Sequence, residues 1–267
     1  MQFAPFQVGN FLDAFCLGGL ALHWHMVLGS ALVFHALVYV SQWLSPRLFG
    51  QHYLKLAPRK RLDWDTHVVA FIFSIVISTL ALKQLQDPVL KADKVWGYTR
   101  LGGDVNAISC GYFLWDIYVS SMLVKEHGYG MLVHAFASFA VFIFGLGPFT
   151  FYYGAVFILF ELSTPFLNVN WFLDKCGLTG TWLQLVNGIL FILTFFCARI
   201  LWGFYMSFQY FSDLWAQRHI VPVFHLALYG VSNSILMTLN VFWFFKIIAA
   251  LRRRFDPKAA SPQKKKK

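Results

Sequence analysis

The chain has 267 residues, of which 58% are hydrophobic and 13% charged, with a net charge of +10. Soluble domains carry about 25% charged residues, and no soluble core hides 30 phenylalanines in a chain this size, so the bilayer must be solvent for part of it. The positive surplus does not point to nucleic acid, because the tail after Leu251 alone holds eight basic residues against one acidic.

A spanning helix needs about 20 mostly apolar residues. Seven such segments are expected, at about 16–43, 66–86, 104–124, 129–147, 149–168, 180–208 and 222–250. The fourth and fifth are separated only by Gly147-Pro148, so a broken pair, a tight hairpin and a six-helix count all remain open there. The expected fold class is an all-α polytopic membrane protein. Its organisation reads as an N-terminal helix and basic loop over 1–60, a membrane domain over 61–251 and a basic tail over 252–267.

Arg47, Lys55, Arg59, Lys60 and Arg61 follow the first span, and Arg252, Arg253, Arg254, Lys258 and Lys264 to Lys267 follow the last. With seven spans these regions share one side, which the positive-inside rule makes cytosolic. The tail is then a solvated flank against anionic lipid. Lys264 and Lys265 also resemble a dilysine retrieval signal read by coat machinery, which places the protein in the endoplasmic reticulum membrane with its C-terminus in the cytosol. No Lys or Arg precedes the first apolar stretch, so no cleaved signal peptide is expected. Cys16, Cys110, Cys176 and Cys197 form no CxxC pair and read as small apolar residues, implying neither disulfides nor a zinc site.

Within the first span, His23 and His25 lie two apart, on different helix faces, which is poor metal spacing. The basic loop ends in Arg61-Leu-Asp63-Trp64-Asp65-Thr-His67, where Trp64 reads as an interfacial aromatic anchor. Further on, Asp116 has Tyr112 at i−4 and Ser120 at i+4 on one face. That face is either a polar stripe lining a cavity, or an Asp satisfied by hydroxyls or by Arg199. His134 is followed by Ser138 one turn on, and fits a hydrogen-bonded core histidine as well as a catalyst.

Glu161 lies in one of the most apolar stretches, where a lone carboxyl costs about 2.5–3.5 kcal/mol. Thr164 and Asn168 stand at i+3 and i+7 on its face, and Pro165 at i+4 cannot donate to the Glu161 carbonyl. The helix is expected to kink there and leave that acceptor free, which at membrane depth needs protein or a wet cavity beside it. Arg199 is the single Arg or Lys expected mid-span, and fits either a pair with Asp116 or Glu161 or a hold on an anionic headgroup.

These residues carry a family resemblance. Leu62-Asp63-Trp64-Asp65, Gly111 to Asp116, Met131-Leu-Val-His134-Ala135 and Glu161-Leu-Ser-Thr-Pro-Phe-Leu-Asn168 with Trp171 resemble the TLC (TRAM–Lag–CLN homology) domain family, and small stand-alone fungal members most. Weaker matches are Phe195-Phe196, Arg199 and Trp202-Gly203, so the resemblance covers roughly 60 to 250. It implies a helical bundle around a lipid-sized cavity. Ceramide synthases of the family pair two adjacent histidines with two aspartates. Here the matching positions hold His134 and Ala135, then Glu161 and Thr164, so half of each pair is missing.

The leading expectation is an endoplasmic reticulum protein that binds lipid or acyl chains and influences membrane lipid composition. Its binding residues would be Tyr112, Asp116, Ser138, Thr164, Asn168 and Arg199. An alternative is a lipid acyltransferase with His134 as base or acyl acceptor and Glu161 orienting it. Another is a non-catalytic cargo receptor or assembly factor. No metal or cofactor is implied; acyl-CoA enters only as a candidate substrate. Membrane lipids or acyl chains are the expected partners, nucleic acid is not, and a homo-oligomer is compatible with the sequence.

Overall fold

The computed structural model of the protein describes residues 18, 20–147 and 149–255. Cys16, Pro148, Lys258 and the terminal Lys264 to Lys267 lie outside the described residues. Among those described, every regular element is helical. The first long helix, α1 (Leu20–Phe49), is followed by one turn, α2 (Gln51–Leu54), and by α3 (Pro58–Gln84). Short α4 (Pro88–Ala92) leads to α5 (Arg100–Met122), one-turn α6 (Val124–His127) and α7 (Tyr129–Phe144). A composite rod then runs through α8 (Phe151–Ile158), a 3₁₀ turn (Leu159–Ser163) and α9 (Thr164–Lys175). A second joins α10 (Trp182–Phe195), a π-helical turn (Phe196–Leu201) and α11 (Trp202–Ala216), and α12 (Val223–Phe255) closes the bundle.

Each of the seven expected segments meets one of these helices or rods. Five are long and apolar enough to cross a membrane: Leu20–Phe49, Pro58–Gln84, Phe151–Lys175, Trp182–Ala216 and Val223–Arg253. The other two differ for separate reasons. α5 carries Asp104, Asn106, Ser109 and Asp116, which dilute its apolar character. α7 has 16 residues, about 24 Å of helix against a hydrocarbon core of about 30 Å. Large apolar side chains such as Leu32, Tyr39, Leu193, Phe208 and Phe245 point outward, as lipid contact demands.

Local chemistry sets the ends. Pro58 opens α3, where its missing amide hydrogen costs nothing. Thr99 Oγ1 caps α5 by accepting from the Gly102 amide at 3.1 Å. α5 packs closely on α1 because Gly111 has no side chain: a Cβ there would stand 2.3 Å from the Val27 carbonyl oxygen.

Basic ends of several helices gather on one side of the bundle. Arg59 of α3 meets Glu126 of α6 at 3.4 Å, and Phe49 of α1 stacks over Phe172 of α9. Asp65, wholly buried there, accepts from Ser41 Oγ at 2.7 Å and from the Tyr53 hydroxyl at 3.1 Å. Burial, and secondarily that carboxylate, push the Tyr53 phenol above its ordinary pKa. Trp64 corrects the sequence reading. It is not an interfacial anchor but 0% exposed, enclosed by the rings of Phe49, Tyr53, Trp171 and Phe172. Its indole nitrogen donates to Ser45 Oγ at 3.0 Å, so an inward-facing partner satisfies the group that usually seeks the interface.

Trp64→Ala should therefore destabilise the fold by about 3–5 kcal/mol through the cavity it leaves. Trp64→Phe should cost less, about 1–3 kcal/mol, for one hydrogen bond and a smaller cavity. Denaturant melts of the detergent-purified protein read both, and an unchanged midpoint for Trp64→Ala would contradict this packing.

Candidate functional site

The α8–α9 rod changes its hydrogen bonding at Glu161. Pro165 has no amide hydrogen, so the regular ladder cannot pass through it. The chain tightens into the 3₁₀ turn, and the Thr164 amide bonds the Glu161 carbonyl instead. The Glu161 carbonyl is therefore not left free as the sequence suggested, and side-chain donors gather one residue earlier. The Phe160 carbonyl receives Arg199 Nε at 3.0 Å and Ser163 Oγ at 3.1 Å.

Arg199 reaches that carbonyl from the π turn of the neighbouring rod. Such turns shift the side chains that follow them and recur at functional positions. The guanidinium is buried. Besides Phe160 it donates to Ser163 Oγ at 3.1 Å, Asn240 Oδ1 at 3.2 Å and Thr164 Oγ1 at 3.4 Å. Its Nη2 lies 3.6 Å from Glu161 Oε1, and its face covers the Phe195 ring at 5.2 Å. Of the two pairs left open by the sequence, the one with Glu161 forms. Asp116 instead accepts from Ser120 Oγ at 3.0 Å.

These groups border a cavity of about 560 Å³, within the range of about 300–1,000 Å³ typical of small-molecule sites. Tyr112, Asp116, His134, Glu161, Thr164, Asn168 and Arg199 all line it. The Glu161-Thr164-Asn168 stripe thus faces one space, although a 3₁₀ turn replaces the α-helix at its start. Phe113, Val119, Phe191, Phe195 and Ile247 supply apolar wall. Tyr112 is held flat against Phe73, with ring centroids 3.5 Å apart. A smaller cavity of about 60 Å³ adjoins, lined by Ser138, Asn106, Asn233 and Asn240, and shares Phe113, His134 and Glu161 with the larger one. The two proposed catalytic residues therefore stand where the chambers meet.

They do not form a dyad in this arrangement. Among the described residues, Glu161 has Arg199 as its ion-pair partner, while the His134 ring packs edge-on against Phe113 and Trp243. His134 is thus a cavity-lining imidazole without a carboxylate to orient it.

Sequence reasoning marked the segment of Asp63 and His67 but gave it no site role; Lys60, Asp63, His67, Glu126, His127 and Lys246 form a charged part of the cavity wall. His67 Nδ1 donates to Asn168 Oδ1 at 2.6 Å and its ring stacks on Trp171 at 4.2 Å. His127 Nε2 lies 2.7 Å from Asp63 Oδ1. The i,i+4 spacing of Asp63 and His67 is a signal that one helix face carries both. His127 has no such mark, because Asp63 lies 64 residues earlier in the chain.

Removing Arg199 should be costlier than neutralising Glu161. Arg199→Met strands a buried carboxylate and the Asn240 amide oxygen, at about 3–5 kcal/mol. Glu161→Gln keeps a hydrogen-bonding group of the same shape but leaves the guanidinium charge uncompensated, at about 1.5–3 kcal/mol. Thermal unfolding in detergent should rank them in that order; equal losses would contradict the network described.

Comparison with known proteins gives the family of the chain. The TLC domain model matches residues 63–249. An uncharacterised TLC domain-containing protein of Schizosaccharomyces pombe is 38% identical over 92% of this chain and 85% of its own length. Topoisomerase I damage affected protein 4 of Saccharomyces cerevisiae is 32% identical over 90% of this chain and 88% of its own. TLC domain-containing protein 4 of Xenopus tropicalis is 32% identical over 83% and 88%. With a family match across most of its length and the helical bundle to go with it, the chain belongs to the TLC domain family of membrane proteins.

Proposed function

We propose that this TLC-domain protein binds an acyl chain of a membrane lipid in its larger cavity and thereby influences membrane lipid composition. The observation that carries this reading is the polarity gradient of that cavity. One part of its wall is aromatic and aliphatic, and another carries Lys60, Asp63, His67, His127 and Lys246. An amphipathic ligand matches both, with its chain along Phe113, Phe191 and Phe195 and its headgroup at the charged end. The side with the basic helix ends is then cytosolic, and residency in the endoplasmic reticulum follows from Lys264 and Lys265.

A second reading, acyl transfer, is favoured by the position of His134 alone. An imidazole lining an apolar cavity suits a base or transient acyl acceptor. The engagement of Glu161 by Arg199 weighs against it, since a base works best with an orienting partner. Binding without chemistry therefore comes first.

Lipidomics of cells expressing the protein separates these readings. Binding predicts that His134→Ala leaves the lipid change intact, whereas Ala70→Phe, which adds a ring to the cavity wall, abolishes it. Acyl transfer predicts loss in both. No lipid change with the wild-type protein would overturn the proposal. Replacing Lys264 and Lys265 with Ser should shift the protein to later secretory membranes; an unaltered distribution would remove that assignment.

A further inference from the structure

We propose that Asp63, His67 and His127 form a binding site for one divalent transition-metal ion of the zinc class at the charged end of the cavity. Each residue offers one ligand atom, and the three atoms lie within 4.8 Å of one another. A tetrahedral zinc site with bonds of about 2.0–2.1 Å sets its ligand atoms about 3.3 Å apart. The observed separations bracket that value, with Asp63 Oδ1 at 2.7 Å from His127 Nε2 and 3.7 Å from His67 Nε2.

The surroundings resemble those of a metal site more than of a plain ion pair. His67 donates its Nδ1 hydrogen to Asn168 Oδ1, which leaves the Nε2 lone pair directed at Asp63 and His127. This is the outer hydrogen bond that fixes the tautomer of metal-bound histidines. Stacking on Trp171 holds the ring plane. The Asp63 carboxylate divides its oxygens, Oδ1 toward both imidazoles and Oδ2 toward Lys60 Nζ at 3.2 Å. Metal binding at His127 Nε2 displaces the hydrogen shared with Asp63 Oδ1; it moves to Nδ1 of a neutral imidazole, or leaves to solvent from an imidazolium. Two imidazoles and a carboxylate leave a tetrahedral ion one open position. All three residues line the cavity, so that position faces it and takes water or an anionic headgroup oxygen.

The site spans elements that the cavity alone does not join. α3 provides Asp63 and His67, the short α6 provides His127, and α9 provides the supporting Asn168. An ion there ties the α6 turn, between α5 and α7, to the start of α3. Lys60 opposes it, since a cation beside the carboxylate weakens metal affinity.

The test uses the full chain, purified without a histidine tag in detergent and dialysed against Zn²⁺ or Co²⁺. Wild type and His134→Ala should retain about one metal equivalent per chain by elemental mass spectrometry, and Co²⁺ should give the intense visible bands of four-coordination. Asp63→Asn and His127→Ala should lose both signals. Lys60→Gln should bind about fivefold more tightly, the effect of removing one nearby cation. The last measurement stands even where a ligand variant fails to fold. Substoichiometric metal on wild type, a six-coordinate Co²⁺ spectrum, or equal retention by a folded His127→Ala would each overturn the site.

Discussion

A guanidinium inside an apolar bundle is tolerated only when its donors and charge are answered, and Arg199 is the group around which this one is organised. It stands on a π turn in one rod and bonds a carbonyl within the 3₁₀ turn of the other. Each irregularity meets the other: Pro165 breaks the α-helical ladder, the chain tightens into a 3₁₀ turn, and Arg199 on the π turn bonds the Phe160 carbonyl there. Glu161, beside that break, supplies the compensating charge. The arrangement brings Thr164 and Asn240 into the same network, so both rods and α12 are tied at one depth. Removing a partner from such a buried set is far more damaging than the modest net worth of the pair suggests.

That knot also forms part of the cavity wall. Arg199 and Glu161 are committed to structure, yet both line the larger space. Asn168, one stripe position beyond Thr164, reaches away to His67. The polar stripe of the 3₁₀–α9 segment thus links the buried ion pair to the charged end. A ligand lying along it would meet apolar rings on one side and a graded set of polar groups on the other.

Much of the fold was legible in the sequence because lipid imposes a simple rule on length and polarity. The segment around Glu161 was legible too, since a carboxyl, a threonine and an asparagine at helical spacing beside a proline do not belong on a face turned to lipid. What failed depended on rotation and partner choice. Trp64 carries the composition of an interface anchor, but Ser45 answers its nitrogen from a position nineteen residues earlier. For Asp116 the i,i+4 spacing already marked Ser120, but nothing in the spacing chose Glu161 over Asp116 as the partner of Arg199. The Asp63–His67–His127 cluster was hidden most fully, because its last member sits on a four-residue helix whose position only tertiary packing defines.

Occupation of the larger cavity by lipid is tested most directly by native mass spectrometry of the purified protein. One acyl-chain lipid should be retained per wild-type chain and released on mild activation, with retention lost in Ala70→Phe at unchanged thermal stability. A wild-type chain that carries no lipid, or an Ala70→Phe chain that carries as much as wild type, would contradict the lipid site.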